Sequence, residues 1–115
     1  MDVTSLKTIQ HILHYSFHFL VPGLLAFALF RAQWKKAWLI MAATILVDLD
    51  HLLATPIFDP GRCSIGFHPL HSEYAILIYF LLLIPPKSRI LAFGLILHMY
   101  TDWQDCLLTN YSNTL

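Results

Sequence analysis

Four long apolar stretches alternate with short polar ones along this chain. Between Thr8 and Phe30 there is no Lys, Arg, Asp or Glu, and a helix over that stretch is about 34 Å long, enough for a hydrocarbon core of roughly 30 Å. A second stretch runs from Ala37 to about Phe58 and ends near Pro56, a third from about Phe67 to Ile84, where Pro85-Pro86 stops it, and a fourth from Ile90 to about Leu108. Pro22-Gly23 predicts a kink in the first. The connections are short, so consecutive helices are expected to pack antiparallel. The pattern predicts an all-α membrane protein, a four-transmembrane-helix antiparallel bundle occupying residues 1–115 as one domain. A secretory signal is the other reading of the first stretch, but its basic n-region is reduced to Lys7 and three histidines stand where the apolar part would begin, so it is expected to be retained.

Composition agrees with lipid as the solvent. The chain is 57% hydrophobic and 12% charged, whereas a soluble domain carries roughly 25% charged residues. Seven Lys and Arg balance seven Asp and Glu, which leaves no basic footprint and sets nucleic acid aside as a partner. Arg31, Lys35 and Lys36 follow the first stretch, and Lys87 and Arg89 follow the third. In an antiparallel bundle these loops share a side, which the positive-inside rule makes cytoplasmic, with Trp34 and Trp38 as interfacial anchors. The expected location is therefore a multi-pass plasma (inner) membrane, with both termini outside. Cys63 and Cys106 then both lie outside, where an oxidising compartment allows a disulfide whose geometry the sequence leaves open.

The polar residues change the picture most. His11, His14 and His18 occupy the outer start of the first helix, Asp48, Asp50 and His51 the outer end of the second, His68, His71 and Glu73 the outer start of the third, and His98, Asp102 and Asp105 the outer end of the fourth. All twelve fall in one layer. At 100° per residue His11, His14 and His18 lie within about 60° of one another, and His98, Asp102 and Asp105 share a similar arc. Asp48, Asp50 and His51 spread over roughly 160°, so one of those aspartates is read as supporting a ligand rather than binding metal. Glu73 lies about 200° from His71 and is the weakest candidate, with Arg62 as an alternative partner. Ser72, with no spare base beside it, is read as a structural hydroxyl, and Tyr74, Tyr79, Tyr100 and Trp103 as packing or interfacial belt.

Aspartates near a bilayer core cost about 2.5 kcal/mol or more each on insertion scales, and several together repel. Divalent cations remove both objections. Imidazole and carboxylate donors suit zinc first, with iron or manganese as alternatives, one to three ions per chain. The expected ligands are His14, His18, Asp48, Asp50, His51, His68, His71, His98 and Asp102.

In order along the chain stand a histidine in the first helix, Asp48-Leu49-Asp50-His51, His71-Ser72 and His98-x-x-x-Asp102. This set resembles the YdjM-like family of membrane-bound metal-dependent hydrolases, and the late motif is also similar to one in zinc-dependent phospholipases C and related nucleases. The resemblance implies metal-binding roles for His14 or His18, Asp48, Asp50, His51, His71, His98 and Asp102, and hydrolysis of a phosphodiester at clustered zinc. The chain departs from the family's H-R-G-x-T-H-S stretch: His68 and His71 are three apart, and the nearest arginine, Arg62, comes earlier.

The function expected from these features is hydrolysis of a phospholipid or another lipid-linked phosphoester at the outer face. Asp105 and Glu73 are the candidate general bases and Arg62 the candidate phosphate contact. Membrane lipid is the expected partner, and a homodimer completing a small site is a further expectation. A haem-binding electron carrier and a metal transporter or sensor are the alternatives. The carboxylates count against the first, and the apolar inner halves of the helices against the second.

Overall fold

The structure, a computed structural model, describes residues 2–59 and 61–115. All regular structure among them is helical. Helix α1 spans Val3–Leu29, α2 Trp34–Ala43, α3 Glu73–Leu81 and α4 Arg89–Ser112, and a 3₁₀ segment, Thr44–Leu53, continues α2. Asp2 caps α1 by accepting a hydrogen bond from the Ser5 amide at 2.7 Å, which holds its carboxyl below the ordinary aspartate range. Helix α1 is long and apolar enough to cross a membrane, and it is the one such helix among the described residues.

Ahead of Pro22-Gly23, where the sequence predicts a kink, α1 changes its winding. Pro22 has no N–H to donate, and in the preceding turn Ser16–Leu20 winds as a π-helix, with the Val21 amide bonded to Ser16 O. Trp38 of α2 donates its indole N–H to Phe19 O at 2.6 Å. A Cβ on Gly23 would lie 2.8 Å from that indole, so glycine is what lets the ring reach the carbonyl. Trp38 is therefore more than the interfacial anchor the sequence suggests.

Two expected helices differ from the observed ones. The second stretch is α-helical only to Ala43, then tightens. Thr44 directs its hydroxyl to Met41 O at 2.6 Å, and ten residues of 3₁₀-helix follow, where runs beyond three or four are uncommon. The third stretch, read as helix from Phe67, opens instead with a 3₁₀ turn at Pro69–His71, and α3 begins after Ser72. The Ser72 hydroxyl caps α3 by accepting from the Ala75 amide, which confirms it as a structural group. With nine residues, α3 is only about 14 Å long.

Two small apolar clusters hold the helices together. Ala26, Ala37 and Met41 are buried where α1, α2 and α4 meet, flanked by Phe30, Trp34 and Phe93. Tyr79, Leu95 and Met99 join α3 to α4, with Val47 against them, and the Tyr79 hydroxyl donates to Leu70 O at 2.7 Å, tying α3 to the preceding turn. Gly94 sets the distance between α2 and α4, because a Cβ there would lie 2.8 Å from both Met41 Cα and Thr44 Cγ2. Gly94→Ala is expected to push the two helices apart and destabilise the fold by about 1–3 kcal/mol. Thermal unfolding followed by circular dichroism in detergent measures this, and an unchanged midpoint would mean that the contact contributes little.

Candidate metal centre

The interior is polar where the four chain segments converge. His18, Asp50, His68, His71, His98 and Asp102 are buried, each placed by one of the features just described. The π turn carries His18 inward. The 3₁₀ segment, at 120° per residue, stacks Asp48 and His51 in one column and turns Asp50 a third of a turn away. This corrects the α-helical spread expected for that trio. The Pro69–His71 turn presents His71, and α4 presents His98 and Asp102 one turn apart.

Four donors from three segments meet first. Asp102 Oδ2 lies 2.9 Å from His71 Nε2 and 3.0 Å from His98 Nε2. Asp48 Oδ1 lies 3.2 Å from His71 Nε2 and 3.1 Å from His98 Nε2, and the two imidazole nitrogens are 3.3 Å apart. Four ligands at about 2.0 Å from a tetrahedral ion are separated by roughly 3.3 Å, so these contacts have the dimensions of such a cage. The tautomer suits this use. His71 Nδ1 faces Asp50 Oδ2 at 2.8 Å, and an ionised carboxylate only accepts, so Nδ1 carries a proton and Nε2 is the atom left to bind an ion. Asp50 Oδ2 also accepts from the Leu70 amide at 3.0 Å. Asp50 is thus the supporting aspartate among the pair in the second segment, orienting His71 from behind.

A second group, His14, His18 and Asp102, adjoins the first. His18 Nε2 is 3.8 Å from Asp102 Oδ1, the oxygen not used by the first group, so Asp102 stands between the two. Among the described residues, His14 Nδ1, His18 Nε2 and His98 Nδ1 are buried without a hydrogen-bond partner, and the first two face the second group. Orphaned buried lone pairs of this kind are costly in a protein interior, and a cation is the partner that fits acceptors converging from several sides. A third group, Asp50, His51 and His68, lies beyond His71, with the His51 and His68 rings stacked at 3.9 Å.

The remaining candidates are placed differently. Asp105 lies 3.7 Å from His14 Nδ1, outside all three groups, and its Oδ1 accepts from Gln10 Nε2 at 2.9 Å. His11 is exposed at the cleft wall. Arg62 also lines the cleft, but its guanidinium donates to Pro56 O at 3.1 Å and Ile57 O at 3.2 Å and lies over the Phe67 ring, so it chiefly clasps its own loop. Glu73 is not brought to the site. It is exposed in the first turn of α3, where a carboxylate favours the helix N-terminus, and it forms no pair with Arg62. Cys63 and Cys106 form a disulfide with their Cα atoms 5.1 Å apart, joining that loop to α4 one turn beyond Asp102.

A cleft of about 720 Å³ opens onto Asp48, His51, His68, Asp102 and Asp105. Sequence reasoning missed two of its residues, Lys7 and Gln10. Lys7 stands one turn before His11 on the histidine stripe, and that spacing was the available signal. Gln10 had none, because its partner Asp105 is distant in the chain.

Fold and site together define an all-helical protein with a buried histidine and aspartate cluster able to hold metal ions. The chain belongs to the DUF6122 family, a family of unknown function, whose model matches residues 8–109, a stretch containing every donor named above. No curated protein and no solved structure matches the chain.

Proposed function

We propose that this protein is an integral-membrane, metal-dependent hydrolase of phosphoesters, working at a two-ion centre shared through Asp102. The observation that carries the reading is the position of Asp102, with one oxygen on the Asp48, His71 and His98 group and the other towards His14 and His18. Two adjoining donor groups with a carboxylate between them are the arrangement in which paired ions act on attacking and leaving oxygens. Bound there, divalent ions, zinc by preference for this donor set, supply Lewis acidity and a water able to lose its proton near neutral pH. The chain's own residues do the rest. Asp105, held by Gln10 and outside the donor groups, takes the proton from the attacking water, whose oxygen bonds to phosphorus. The bond from phosphorus to the leaving alcohol breaks, and the alkoxide takes that proton from Asp105, which returns to its carboxylate form. Lys7 and Arg62 at the cleft supply positive charge for the phosphate.

The membrane reading is supported by inverted polarity. Leu24, Leu39, Tyr74 and Ile84 point outward while imidazoles and carboxylates point inward, the reverse of a water-soluble domain. The disulfide supports a site on the oxidising side, opposite Arg31, Lys35, Lys36, Lys87 and Arg89. The motif resemblance to YdjM-like hydrolases favours the same chemistry. A haem site fits poorly, since Asp48 and Asp102 fill the space a porphyrin needs between His71 and His98.

The test is elemental analysis of protein purified in detergent, beside a variant carrying Asp48→Ala and His98→Ala, with hydrolysis of bis(p-nitrophenyl) phosphate as the activity readout. About two divalent ions per chain, lost in the variant along with hydrolysis, is the expected result. Substoichiometric metal indifferent to the substitutions would reduce the cluster to a structural polar network.

A further inference from the structure

The 3₁₀ segment sorts its residues into three columns, because every third residue repeats the same direction. Thr44, Val47 and Asp50 face inward: Thr44 and Asp50 are 6% and 5% exposed, and Val47 packs on the Tyr79 cluster. Ile45, Asp48 and His51 line the cleft. Leu46, Leu49 and Leu52 form the third column, and they are 63%, 60% and 64% exposed. Leu49 and Leu52 also line the cleft, so its donor-bearing floor continues without a break onto an outward-facing leucine ridge. With a rise of about 2.0 Å per residue the ridge is roughly 12 Å long.

The opposite wall of the cleft belongs to α1, which contributes Lys7, His14 and Tyr15. Helix α1 packs against α4, as does the 3₁₀ segment, and the cleft lies in the gap between them. An opening of this form combines two cations, Lys7 and Arg62, with metal donors and a strip of leucine leading out to the side. A small water-soluble phosphoester has no use for the strip. An amphiphile uses all three parts.

We propose that the ligand of this cleft is an anionic lipid carrying a phosphate and at least one long acyl chain. It enters sideways between α1 and the 3₁₀ segment, its chain along Leu46, Leu49 and Leu52 and its headgroup between Lys7 and Arg62. The ridge is apolar, and Lys7 and Arg62 line a cleft whose carboxylates, Asp48, Asp59, Asp102 and Asp105, are balanced when divalent ions fill the donor groups, so the complementarity selects a lipid with an anionic phosphate. The identification of this lipid as substrate rests on the hydrolase reading; its binding does not.

The experiment uses the full chain in nanodiscs with phosphatidylglycerol carrying a diazirine on one acyl chain. After illumination, mass spectrometry maps the adducts. They are expected to concentrate on Leu46, Leu49, Leu52 and Tyr15, to fall about tenfold in a variant carrying Leu49→Glu and Leu52→Glu, and to be weaker with a phosphatidylcholine probe of the same chain. Adducts spread evenly over the outer faces of α1, α2 and α4 would overturn the proposal, as would chain-to-chain crosslinks on the ridge, which would assign it to a second copy. The wild-type map stands even where the variant does not fold. Hydrolysis of bis(p-nitrophenyl) phosphate by the wild type is scored separately: localised adducts without hydrolysis would sink the hydrolase reading and leave the lipid site standing.

Discussion

Replacing Asp102 by alanine is expected to remove metal from two of the three donor groups at once and to lower phosphodiester hydrolysis by about 10³-fold or more. No other single residue belongs to both groups. Loss of Asp48 takes an oxygen from one group only, and loss of His18 takes a nitrogen from the other. Asp102→Asn keeps the shape but gives up the charge that balances two cations, so it should resemble alanine more than wild type. The informative contrast is Asp105→Asn, which belongs to no donor group: metal content should persist while the rate falls through loss of the general base, by about 10²-fold or more. Metal analysis and hydrolysis on the same preparations check both. Equal metal loss in the two variants would make Asp105 a ligand, and full metal retention in Asp102→Ala would refute the shared centre.

Much of this site is legible in the sequence, for a reason that particular residues make clear. His98 and Asp102 are four apart on a long regular helix, so the 3.6-residue repeat predicts that they share a face, and they do. His14 and His18 share a stripe for the same reason, and the π turn that contains His18 preserves it. The second segment is where that logic fails. A repeat of 100° per residue spreads Asp48, Asp50 and His51, but Thr44 turns its hydroxyl back on Met41 O and the chain proceeds at 120°. The signal was present in the leucines at 46, 49 and 52, which repeat every three residues, yet such a run is also compatible with an α-helix over so short a window. The third segment failed at Pro69 and Ser72, which together end one turn and cap the next helix. Its apolar composition extends to Phe67, but composition does not register where backbone hydrogen bonds begin. Glu73 was drawn into the layer by that early start. Gln10, Lys7 and the indole bond of Trp38 depend on which helices touch, and spacing within one helix carries no such information.

Opening the Cys63–Cys106 disulfide is expected to loosen the centre from one side. The bond closes a sequence separation of 43 residues, for which loop-closure entropy alone gives a stabilisation of about 4 kcal/mol. Its local consequence follows from what it joins. Cys106 lies one turn beyond Asp102 on α4, and Cys63 begins the stretch that leads to His68 and His71. Reduction, or Cys63→Ser with Cys106→Ser, leaves that stretch held by the Arg62 bonds to Pro56 and Ile57 carbonyls, the two bonds that Asp50 Oδ2 receives from Leu70 and His71 and the Tyr79 bond to Leu70 O. The Asp50, His51 and His68 group should disperse first, because the His68 ring is stacked on His51 and its backbone bonds only within that stretch, to Ser64 and His71, while the Asp102 groups should keep their metal through His98, Asp48, His14 and His18. Metal content and thermal midpoint, measured with and without reductant, separate the cases. A drop in midpoint with the ions of the two Asp102 groups retained is the expected pattern. Loss of all metal would mean that His71 depends on the disulfide and not on Asp50 for its position. An unchanged midpoint would mean that Arg62 already holds the loop, so that the disulfide adds nothing to the fold it spans.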